Sequence, residues 1–269
     1  MSDLRARLCL NQITTEQWSL SEAVKGCVRF SIPWIGLWRH KVAATGLAES
    51  ARIVRDAGLR VSSLCRGGMF PAATTSERQH RIDDNLRAID EAAALDTDLL
   101  VLVNGPAPDC DIDAARHVIA EGIAAILPHA VECGVRLGVE PLHPMFAAER
   151  SVIVTLAEAN RLADSLRSDY VGVVVDVYHV WWDPNLYREL ARTRVVGFHV
   201  SDWPRVLGEP AMSRFMMGEG VIELRRIRAA VEATGYRGPI EVEIFNRELW
   251  SQPGDQVVEK LKQAYLEHV

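Results

Sequence analysis

The residues best able to do chemistry in this chain are acids and histidines that close apolar, β-branched runs. Val171-Gly-Val-Val-Val-Asp176-Val-Tyr-His179 ends in a carboxylate with an imidazole three residues on. Glu140 closes Val135-Arg-Leu-Gly-Val, His199 closes Val195-Val-Gly-Phe, and Glu243 nearly closes Ile240-Glu-Val-Glu-Ile244. Such runs read as strands buried on both faces, and parallel-strand proteins keep their chemistry at the carboxyl ends of the strands. Side chains alternate along a strand, so Gly138 shares a face with Glu140, Val174 with Asp176, Gly197 with His199 and Leu102 with Asn104. Each polar residue is thereby expected to point to a common interior.

A single charged residue at a strand end is ordinarily just solvated. Three carboxylates brought together are another matter, because like charges at short range raise one another's pKa unless a cation neutralises them. Glu140, Asp176, His199 and Glu243 therefore read as the ligands of one divalent ion. Carboxylate-rich sites with one imidazole suit Mn2+ or Mg2+ and also accept Co2+, Fe2+ or Zn2+; Mn2+ is the favoured reading. His143, in the loop Glu140-Pro-Leu-His143-Pro-Met-Phe146, is a candidate base, although its flanking prolines also suit a histidine that is merely fixed in a loop. Arg66 and Asn104 are candidates for substrate hydroxyls. Trp181, Trp182 and Trp203 follow strand ends, where they can wall a site or simply pack. For Phe215, Met216 and Met217 core packing is the better reading.

The elements that must position these groups alternate along the whole chain. Strands are expected at 7–11, 34–38, 59–64, 99–103, 135–140, 171–176, 195–199 and 238–244, with helices at 45–57, 75–95, 113–132, 152–166, 184–191, 221–234 and 254–268. Arg66-Gly-Gly-Met-Phe-Pro71 reads as a loop, and so does the long stretch 202–220. No G-x-G-x-x-G turn follows the first strand, so the pattern indicates a (β/α)8 TIM barrel, one domain over residues 1–269, rather than an open doubly wound sheet.

Composition narrows the function. The chain has 269 residues, 48% of them hydrophobic, a mean hydropathy of +0.01 and no apolar run of membrane-spanning length. Its charged amino terminus lacks the features of a secretory signal, which gives a cytoplasmic expectation. Five scattered cysteines, never spaced C-x-x-C, argue against a disulfide framework or a thiolate zinc site. A net charge of −6 without a basic run argues against nucleic acid and leaves a small polar sugar or polyol as the expected partner. Oligomeric state, as a homo-oligomer or with a small partner subunit, is left open.

These residues, in this order, resemble the sugar phosphate isomerase/epimerase superfamily of xylose isomerase-like barrels, which includes ketose 3-epimerases and inosose dehydratase. The resemblance covers nearly the whole chain. It implies that Glu140, Asp176, His199 and Glu243 bind one divalent ion and that Glu140 and Glu243 are the acid/base pair. Asp176-x-x-His179 resembles the strand-six motif and His199-Val-Ser-Asp-Trp-Pro-Arg205 the strand-seven motif, which implies that His179 and Arg205 contact substrate, with Trp203 beside them. One position departs from the pattern: ketose 3-epimerases carry a further glutamate six residues after the strand-five ligand, and here Phe146 stands there.

The leading expectation is a metal-dependent sugar isomerase or epimerase that removes a proton α to a carbonyl through an enediolate. The alternative is a lyase, a dehydratase or deglycosylating enzyme that eliminates a β substituent from a 3-oxo sugar or glycoside; Phe146, His143 and the aromatic loops favour it. An abasic-site endonuclease shares the barrel but needs more histidines and a basic face, and a binding protein without catalysis leaves the converging acids unexplained.

Overall fold

The computed structural model describes residues 2–269. Eight parallel strands close into one barrel in sequence order: β1 (Leu8–Asn11), β2 (Trp34–Trp38), β3 (Arg60–Gly68), β4 (Leu99–Val103), β5 (Arg136–Val139), β6 (Val171–Asp176), β7 (Val195–Val200) and β8 (Ile240–Val242). β8 pairs back onto β1, so no strand edge is left open. The barrel interior holds a small apolar layer of Cys65, Leu99, Val101, Val174 and Val196. Gly138 and Gly197 give that layer room, since a Cβ on either would meet Val174 and Leu99. The larger apolar cluster fills the space between strands and helices. Among the described residues no helix is long and apolar enough to cross a membrane.

The expected eight strands are all present, and four local expectations need correction. A helix at Arg39–Thr45 precedes the one at Leu47–Asp56; they meet at Gly46, whose φ of +91° breaks the chain direction where most residues would be strained. β3 continues to Gly68, so Arg66 lies in a strand and not in a loop; a register shift between Cys65 and Gly67 leaves it as a bulge residue. The helix expected from 152 starts at Leu156, because Thr155 and Glu158 form a reciprocal capping box there. Finally, Leu102 packs with the helix-side cluster while Leu99 and Val101 face the interior, so the parity expected for β4 is reversed.

Candidate metal centre

The strand register sets the four expected ligands in steps around the barrel mouth. Asp176 pairs with His199 across β6 and β7, and His199 pairs with Glu241 across β7 and β8. Glu140 and Glu243 lie one residue beyond β5 and β8, where their backbone N–H groups donate to Leu102 O at 3.2 Å and Val200 O at 3.1 Å. The ladder thus continues far enough to aim both carboxylates. Glu140, Asp176, His199 and Glu243 can each offer one ligand atom with all four within 4.8 Å of one another. Their exposures are 5%, 0%, 1% and 4%.

Donor chemistry and unmet hydrogen bonds both suit a cation. Glu140 Oε1 and the two ring nitrogens of His199 are buried without a hydrogen-bond partner, a costly condition that a bound ion relieves. His199 Nδ1 lies 3.5 Å from Glu140 Oε1 and 3.6 Å from Glu243 Oε2. In the protein alone, burial followed by the charge of Glu243 pushes Glu140 up to about 8. Burial acts the same way on Glu243, yet Arg214 and His199 override it and hold Glu243 down at about 2. Burial opposes a charge on His199, and Glu241, Glu243 and Glu140 outweigh it, raising the imidazole to about 10.

Arg214 is the functional side chain that sequence reasoning missed. Its Nη1 donates to Asp176 Oδ2 at 2.6 Å and Glu243 Oε2 at 2.9 Å, and its guanidinium lies over Tyr178 and Phe245. Long-loop hydrogen bonds put it there. Asp202 accepts from the N–H groups of Trp203, Gly218, Gly220 and Ile222, and exchanges backbone hydrogen bonds with Phe215. Arg214 N donates to Phe245 O, and Asn246 Nδ2 donates to Arg214 O. Arg205, the arginine that motif spacing suggested, stands exposed on the outer part of the same loop.

His179 is buried against this guanidinium, with Arg214 Nη2 at 3.1 Å from its Nε2. The His143 backbone N–H lies 3.2 Å from His179 Nδ1, and since a neutral ring has one bare nitrogen and Arg214 can only donate, the guanidinium contact leaves Nε2 as the acceptor. Burial drives the His179 pKa down to about 3, so the ring is neutral. Arg214 Nη2–H thus donates to the bare Nε2 of His179, and the imidazole holds the guanidinium beside the carboxylates. His143 itself accepts from Met145 N at 3.2 Å through Nδ1 and stacks between Trp182 and Trp203. Burial lowers its pKa, and with Nδ1 accepting from Met145 the neutral ring presents Nε2–H as a donor.

The remaining sequence candidates separate into wall and scaffold. Phe146 is buried edge-on to His179, at 5.7 Å between ring centres, and Arg150 lies over its other side. Trp203 packs with Tyr178, Trp181 and His143. Asn104 is a scaffold residue: its amide donates to the backbone oxygens of Leu102 and Glu140, both at 3.3 Å, and so supports the strand end that carries Glu140. Arg66 stands at the rim, where partial burial and the like charge of Arg150 lower its pKa. Neither Arg66 nor Arg150 has an ion pair among the described residues.

A second group with ligand-type side chains, Asp90, His129 and Cys133, lies on the outer helices and is open to water. Asp90 Oδ1 and His129 Nε2 are 2.7 Å apart and satisfy each other.

Comparison with known proteins agrees with this architecture. Protein SMc04130 of Sinorhizobium meliloti has a solved structure that is 46% identical, covers 97% of this chain and 98% of its own, and superposes with a TM-score of 0.95. The IOLI protein, solved with a bound zinc atom, is 17% identical over 97% of both chains with a TM-score of 0.85, a likeness of fold. A 3-dehydroshikimate dehydratase of Pseudomonas putida is 26% identical over 210 residues, 74% of this chain and 32% of that protein. The chain thus spans about a third of the length of that curated relative. The family model described as a xylose isomerase-like TIM barrel matches residues 27–266, and the chain belongs to that family.

Proposed function

We propose that this protein is a divalent-metal-dependent lyase that removes water from a small polyhydroxylated ketone, with Mn2+ the preferred ion. The observation that carries the reading is the set of four buried, converging ligands with the Arg214 guanidinium, hydrogen-bonded to His179, beside them. When bound at Glu140, Asp176, His199 and Glu243, the ion supplies a Lewis acid for the substrate carbonyl and its neighbouring hydroxyl. All other steps belong to side chains.

Glu140 is the carboxylate free to work, because no side chain donates a hydrogen bond to it among the described residues, leaving one oxygen for the ion and one for the substrate, while Glu243 is held by Arg214 and Asn11. It takes the proton from the carbon α to the carbonyl, and the C–H electron pair becomes the C=C bond of an enolate. The Arg214 guanidinium, held by His179, donates to the developing oxyanion. As the carbonyl re-forms, the β carbon–oxygen bond breaks, and the proton on Glu140 leaves with that oxygen as water. One carboxylate can thus serve as both base and acid, which suits a site where Phe146 stands in place of the further glutamate that ketose 3-epimerases carry after the strand-five ligand. Sequence similarity to 3-dehydroshikimate dehydratases supports the same choice. Arg66 and Arg150, which have no ion pair among the described residues, suit a substrate carrying a carboxylate.

The isomerase or epimerase reading shares the first step and differs in the fate of the enolate. It keeps one observation in its favour, a second carboxylate, Glu243, in the same cluster. Incubation of Mn2+-reconstituted protein with 3-dehydroshikimate, inososes and ketoses, read by proton NMR, separates them. An unsaturated product one water lighter is expected; an isomerised sugar with its hydroxyls intact would replace the lyase reading by the isomerase one.

A further inference from the structure

Beside the ligand cluster lies a fifth carboxylate that the reaction above leaves unused. Glu241 sits on the same face of β8 as Glu243, one step deeper, and pairs with His199 across the strand ladder. It is buried, and its oxygens accept from Asn11 Nδ2 at 2.6 Å, Ser62 Oγ at 2.8 Å and Ser63 Oγ at 3.1 Å. The niche is shaped for it. A Cβ at Gly36 would fall on Glu241 Oε1, so only glycine on β2 leaves room for the carboxylate.

Three neutral donors hold this group, and its one ion-pair partner among the described residues is His199, whose Nε2 is 3.6 Å from Glu241 Oε2. The opposite ring nitrogen, Nδ1, faces Glu140 and Glu243. The imidazole is therefore strung between a carboxylate on one side and the ligand cluster on the other. At 3.6 Å the Glu241 contact is longer than a hydrogen bond, and a small rotation of the ring closes it. An imidazole binds a metal through a bare nitrogen, so the proton must sit on the other one, and a carboxylate there fixes both tautomer and ring plane.

We infer that Glu241 is a positioning residue for the metal centre, accepting the Nε2 proton of His199 so that Nδ1 is presented to the ion. This rests on the metal-dependent reading of the site. Removing such a partner ordinarily weakens metal affinity about 10–100-fold.

Calorimetric titration of metal-stripped protein with Mn2+ tests the inference without any substrate. Glu241→Ala should bind about 10–100-fold more weakly than the unaltered protein. Gly36→Ala, which displaces the carboxylate while keeping its charge, should weaken binding in the same direction. Adding Gly36→Ala to Glu241→Ala should cost little more, because the displaced group is already gone. A merely structural Glu241 would lower the metal-free melting temperature and leave the Mn2+ affinity unmoved, and that result overturns the inference. If Glu241→Ala fails to fold, Ser62→Ala with Ser63→Ala removes the two hydroxyls that hold the carboxylate and carries the same test. Absence of Mn2+ binding by the unaltered protein would instead overturn the metal-centre reading itself.

Discussion

Two regions of this molecule gather metal-ligand side chains within 4.8 Å: the strand-end cluster of Glu140, Asp176, His199 and Glu243, and the outer-helix group of Asp90, His129 and Cys133. They differ in what their polar atoms lack. On the helices, Asp90 and His129 pair at 2.7 Å and the remaining capacity meets water. In the barrel, Glu140 Oε1 and both ring nitrogens of His199 are buried without a hydrogen-bond partner from the protein, on side chains fixed at strand ends. Ligand chemistry alone does not distinguish the two regions. Burial without satisfaction does, because the free energy left unspent in an unpaired buried group is what a bound ion recovers.

The strongest test of that difference is the loss of chemistry in the barrel. Glu140→Gln keeps an oxygen donor toward the ion and removes the proton acceptor, so kcat should fall about 10²–10⁴-fold. Steady-state kinetics with any substrate turned over by the unaltered protein checks this. A loss below tenfold would move the base to Glu243.

Next in size is Arg214→Ala, which leaves Asp176 and Glu243 without their guanidinium. Breaking a buried pair costs about 3–5 kcal/mol, so the metal-free melting temperature should drop, and a bound divalent ion should restore part of it by replacing the lost positive charge. Denaturation with and without Mn2+ reads both effects. A metal-free variant as stable as the parent would mean that the cluster does not depend on Arg214.

His143→Ala should have a smaller effect. Its Nδ1 is taken by Met145 N–H and its Nε2–H can only donate, so kcat should fall about tenfold or less, the scale of one hydrogen bond of about 1 kcal/mol. A hundredfold loss with a bell-shaped pH profile would return it to the role of proton-transfer group. On the outer helices His129→Ala should change stability by less than about 1 kcal/mol, since it removes an exposed pair, and leave kcat and metal content unchanged.

The convergence of Glu140, Asp176, His199 and Glu243 was legible because strand ends in a parallel barrel meet at one mouth, where four such side chains together outweigh the solvated reading of any one. Glu241 was as legible by the same parity, two residues before Glu243, and its role emerges only with Gly36, Ser62 and Ser63 around it. Arg214 was not legible, because its place depends on Asp202 collecting four backbone N–H groups across a long loop, a tertiary arrangement with no local periodicity. Spacing led to Arg205 instead. Asn104 shows the limit of alternation: one residue past the end of β4, its amide turns to backbone oxygens of its own strand and of Glu140.

Metal counting tests the central claim most directly. After reconstitution with Mn2+ and removal of free ion, elemental analysis should find one ion per chain in the unaltered protein, one in Cys133→Ser and none in Asp176→Ala. Two ions in the unaltered protein, or one retained by Asp176→Ala and lost by Cys133→Ser, would contradict the assignment of the buried cluster as the metal centre.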